Sequence, residues 1–109
     1  LKYGILNFKK LSEYDDNFTK FVSMLPDYYN RLKEAGYESL ANELLEFAVE
    51  QGADSKSVYS LLANAFISMS KADRLAELIE KAKQLNSLSR DGIVSMLESL
   101  QTDAASAGN

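Results

Sequence analysis

The feature that most constrains this chain is a recurrence of apolar positions every 34 residues. Setting residues 22–55 above 56–89 brings Leu25 over Tyr59, Tyr28 over Leu62, Tyr29 over Ala63 and Leu32 over Phe66. The same step brings Leu44 over Leu78, Leu45 over Ile79 and Ala48 over Ala82. A further step reaches Ile93, Met96, Leu97 and Leu100, with the polar Asp91 before them and Ser95, Glu98 and Ser99 among them. A fixed period of this length describes a supersecondary unit that cannot bury its apolar face alone and must stack on its neighbours.

Each unit reads as two helices. In residues 56–69, Tyr59, Leu62, Ala63 and Phe66 fall at i, i+3, i+4 and i+7, one face of a 3.6-residue helix. Ser70-Lys71-Ala72-Asp73 offers an N-cap with an acid three residues later, so a second helix is expected to start there. It runs to about Leu85 and buries Leu75, Leu78, Ile79 and Ala82. In the earlier unit, Pro26 suits a first helical turn, where its missing N–H is not needed. Gly36 and Gly52 can take the left-handed conformation that ends a helix, framing a second helix from about Glu38 to Gln51. Ser89 can cap a last helix over 90–101, and the small, polar 102–109 reads as a flexible tail. Ala48, Ala63 and Ala82 fall where helix axes must approach closely, and Tyr28 and Tyr29 fall in core slots.

With this pattern, Tyr59-x2-Leu62-Ala63-x2-Phe66, followed by Ala41-x3-Leu45 and Ala48 in the earlier unit, resembles the tetratricopeptide repeat family. The Trp slot of that motif holds Leu25 or Tyr59, Leu75 stands where a small residue is usual, and Ala53 and Ser87 replace the late Pro. The resemblance covers about residues 22–101. It implies an all-α fold: an antiparallel helix-hairpin solenoid, coiled as a right-handed superhelix and closed by a C-terminal capping helix. The expected organisation is one domain over 1–101. Residues 1–25 form an irregular helical pair turning at Leu11-Ser12-Glu13-Tyr14, followed by repeats at 22–55 and 56–89 and the cap at 90–101. A pentatricopeptide array, whose members bind RNA along a basic groove, is the nearest alternative in appearance. The 34-residue spacing and the acidic balance count against it.

Composition excludes several chemistries. The chain has no Cys and no His, which removes disulfides, thiolate metal sites and the commonest general base. With 12 Lys and Arg against 16 Asp and Glu, the net charge is −4. No segment is basic enough to neutralise a row of phosphates, so nucleic acid is not an expected partner. No stretch approaches 18 apolar residues, so no membrane insertion is expected. Leu1 opens the chain without Met or a leader, directly into an apolar-periodic segment, which points to a piece of a longer protein. The cytoplasm is the favoured compartment. No phosphate loop, metal-spaced cluster or nucleophile with a partner base is present, so the expectation is a non-catalytic chain without cofactor or metal.

The family resemblance implies that the first helix of each pair lines a concave groove that holds a protein or peptide. Carried over by position, the peptide-binding residues are Asn30 and Lys33, then Ser57, Ser60, Asn64 and Ile67, with Pro26 beside the first pair. Asp91, Val94 and Glu98 are added by the last helix. Asn30 and Asn64 recur in register, and an amide offers both donor and acceptor to an extended peptide backbone. Pro26 and Ser60 stand where a carboxylate clamp needs Lys or Arg, which favours an apolar or mixed ligand. Glu43, Glu46 and Glu50 read as a solvated outer face, and Asn17-Phe18-Thr19 is a formal glycosylation triplet. The alternative role is an accessory scaffold or dimerisation domain of a larger enzyme, docking through the open end at Ile5, Leu6 and Phe8.

Overall fold

A computed structural model describes residues 15–107 of the chain. Every regular element among the described residues is an α-helix. These are α1 (Asp15–Glu34), α2 (Glu38–Glu50), α3 (Lys56–Ser68), α4 (Ala72–Lys83) and α5 (Arg90–Ala107). The described residues divide into two compact units, one up to Ala53 and one from Asp54.

In the first unit α1 packs on α2 across the three-residue turn 35–37. The buried stripe of α1 is Phe21, Leu25 and Tyr29, spaced by four. It meets an α2 face of Ala41, Leu44, Leu45, Ala48 and Val49, all buried. The Phe21 and Phe47 rings stand edge-on at 6.3 Å between centroids, a preferred aromatic geometry that ties the two helices together.

In the second unit α3, α4 and α5 each pack on the other two. That arrangement explains why α3 is buried more broadly than α1. Val58, Tyr59, Leu62, Ala63, Ala65 and Phe66 are all inside, because α3 has neighbours on two sides. Leu75, Leu78, Ile79 and Ala82 of α4 are buried, as the period requires. Ile93 and Leu97 anchor α5, with Met96 and Leu100 half-buried beside them. Ala63 and Ala82 have no exposed surface, so a larger side chain there has nowhere to go without moving a helix.

The turns repeat with the same period. At the end of α1, Gly36 N donates to Lys33 O at 3.1 Å and Tyr37 N donates to Leu32 O at 2.8 Å. At the end of α3, Ser70 N donates to Ile67 O at 3.0 Å and Lys71 N to Phe66 O at 2.8 Å. Both are Schellman closures, which satisfy two orphan carbonyls through one left-handed residue. That residue is Gly36 (φ 92) in the first turn and Ser70 (φ 58) in the second, 34 positions on. Gly52 (φ 97) closes α2 in the same manner, with Ala53 N donating to Ala48 O at 3.0 Å.

Four expectations from the sequence are corrected here. Pro26 does not open a helix; it lies inside α1, which runs through the anticipated break at residue 25. Pro removes one i→i−4 bond, and the burial of Phe21, Leu25 and Tyr29 on both sides of it holds the helix together. Ser70 is not the N-cap of α4. It is the left-handed closing residue of α3, and the cap position falls to Lys71, which makes no side-chain capping bond. Tyr28 is not in the core. It is 42% exposed, because α1's buried stripe steps by four from Leu25 to Tyr29 and leaves Tyr28 off it. The last helix does not end at residue 101 but continues to Ala107, carried by the helix-favouring Ala104, Ala105 and Ala107. The turn at Leu11–Tyr14, the open end at Ile5, Leu6 and Phe8, and residues 108–109 of the tail lie outside the described residues.

Candidate functional site

The candidate residues sit on α1 in the first unit and on α3 and α5 in the second. Four of them lie on α3. Ser55 starts this helix, its hydroxyl accepting from Val58 N at 3.3 Å and filling one orphan donor of the first turn. From there the apolar positions take the inner face, which leaves Ser57, Ser60, Asn64 and Ile67 on the other. At 100° per residue those four lie within an arc of about 80°, one continuous row along the helix. Ser57 and Asn64 are exposed, and Ser60 and Ile67 are half-buried at the edge of the packed face. The row carries two hydroxyls, one amide and one branched apolar side chain, and no charge.

Asn64 has a defined orientation. Its Nδ2 donates to Ser60 O at 2.9 Å and reaches the Ser60 hydroxyl at 3.5 Å. The amide is thereby held against its own helix, and its Oδ1 is the part that this bond leaves to accept from a ligand. The bond lies at the surface, so giving it up costs no more than about 0.5–1.5 kcal/mol, which a ligand bond in its place offsets.

In the 34-residue register Asp91, Val94 and Glu98 of α5, which packs on α3, occupy the same places as Ser57, Ser60 and Asn64. Asp91 and Glu98 are exposed and Val94 is half-buried. Both carboxylates have cations near them. Arg90 Nε is 3.2 Å from Asp91 Oδ1. The ammonium of Lys83 is held protonated by its hydrogen bond to Glu80 at 3.0 Å, with the Glu98 charge adding to the effect. The surface around these two carboxylates is therefore polar, with a cation near each negative charge.

Asn30 and Lys33 lie on α1, in the other unit, and both are exposed. The Lys33 ammonium stands 6.0 Å from the centre of the Tyr29 ring and 4.0 Å from Glu38 Oε2. It spans the turn between α1 and α2, so part of its charge is already used within its own unit. Pro26 is half-buried on the same helix, one turn before Asn30.

Two polar atoms were not foreseen from the sequence. The Tyr59 hydroxyl and the Asn42 Oδ1 are buried without a hydrogen-bond partner. Tyr59 has no exposed surface, and burial, with the Asp54 charge second, pushes its phenol up to about 12. The period identifies the slot as a core position but says nothing about where the polar tip ends. A tyrosine in a fully buried repeat slot was the one available signal.

Among the described residues no group of three or more Asp, Glu, His or Cys could hold a metal ion. No described helix is long and apolar enough to cross a membrane. Comparison of the chain with protein-family models, with curated proteins and with solved structures found no match in any of the three.

Proposed function

We propose that the chain is a tetratricopeptide-like binding module that holds an extended peptide or a partner protein against the α3 face, without catalysis. The observation that supports this reading best is the row Ser57, Ser60, Asn64 and Ile67. It is an uncharged surface strip on a helix whose other sides are fixed by α4 and α5. A helix braced on two sides presents its remaining side chains rigidly, which reduces the ordering cost of binding. The hydroxyls and the amide suit a peptide backbone, and Ile67 suits an apolar side chain. Nothing in the row would hold a terminal carboxylate, so an internal, mixed-polarity segment is the favoured ligand. The recurrence of the helix–turn–helix hairpin at 34 residues, down to the Schellman closures at Gly36 and Ser70, is what brings the repeat family forward.

The test is an array of unstructured peptides of varied polarity, probed with the whole chain and with a variant carrying Asn64→Ala and Ile67→Ala. The variant should retain wild-type helicity by circular dichroism and lose at least tenfold in affinity for the peptides the wild type selects. Equal binding by the two proteins would remove the α3 face from the account.

A further inference from the structure

We draw no further inference here: the strongest candidate, the surface patch formed by the exposed Met24 and Tyr28 on α1, is an unpartnered apolar face and nothing in the structure shows what covers it.

Discussion

Replacing glycine with alanine at two positions should move stability in opposite directions, and the reason is backbone geometry alone. Gly36 sits at φ 92 and Gly92 in the first turn of α5 at ordinary helical φ, and a Cβ added at either would meet nothing within 4 Å. Sterics with neighbours are therefore equal, and only the backbone conformation differs. Alanine at 36 must adopt a left-handed conformation that costs an L-residue about 1–2 kcal/mol. Its smaller unfolded-state entropy returns about 0.4–1 kcal/mol of that. The net expectation for Gly36→Ala is a loss of about 1 kcal/mol. Gly92→Ala carries no such penalty and should gain about 0.5–1 kcal/mol. Ser70 supplies the converse case, because it already bears a Cβ at φ 58. Ser70→Gly removes most of the left-handed cost and should stabilise by about 0.5–1 kcal/mol. Urea unfolding followed at 222 nm measures all three, and each kcal/mol should also appear as about 4–8 °C in Tm. If Gly36→Ala is neutral, or if Ser70→Gly destabilises, the two turns are not the Schellman closures described and the reasoning fails.

Four further expectations can be measured in the same way. Tyr59→Phe removes a buried hydroxyl that has no partner, so it should be neutral or stabilising by up to about 1–3 kcal/mol, whereas Tyr59→Ala should cost about 3–5 kcal/mol. In alkali the unfolded chain releases the Tyr59 proton near its ordinary 10.0, but the folded chain only near about 12. The Tyr59 contribution to stability is thus unchanged below pH 10 and falls by about 2–3 kcal/mol between pH 10 and 12; Tyr59→Phe should flatten the slope by that amount, and an unchanged pH profile would refute the assignment. Pro26→Ala restores an amide donor inside α1 and should stabilise by about 1–3 kcal/mol in urea titrations, with slower hydrogen exchange in the surrounding turn. Ala63→Leu places a larger side chain where no surface is exposed and should cost about 1–3 kcal/mol in the same titration.

How much of this was legible in the sequence follows from what each signal measures. Periodicity reports which face of a helix is buried: it located the core of α4 residue by residue, and on α3 it found Tyr59, Leu62, Ala63 and Phe66 but not Val58 and Ala65, which are buried because α3 packs on two sides. On α1 the same alignment assigned Tyr28 to the core by analogy with Leu62. The analogy failed because α1's buried stripe advances by four residues, so of the six buried α3 positions only Tyr59 and Ala63 have buried counterparts on α1, Leu25 and Tyr29. Turn chemistry was legible where glycine marked it, at Gly36 and Gly52. At Ser70 it was not, since serine is the ordinary signal of a helix start and only rarely occupies the left-handed region. Pro26 misled for a related reason: proline favours a first turn, but the burial of Leu25 and Tyr29 on either side outweighs one missing bond. The row on α3 could be read as a strip of one helix. That Asn64 turns back to Ser60 O, and that Lys33 leans toward Tyr29 and Glu38, depends on rotamers that no spacing encodes.

The most direct test of the binding role is a nuclear magnetic resonance titration of the isotope-labelled chain with a peptide selected on the array. Amide and side-chain shifts should cluster on Ser57, Ser60, Asn64 and Ile67 and extend to Val94, with the Asn64 side-chain amide among the largest as its bond to Ser60 O is exchanged. Shifts confined to other helices, with the α3 row unmoved at saturating peptide, would contradict that role.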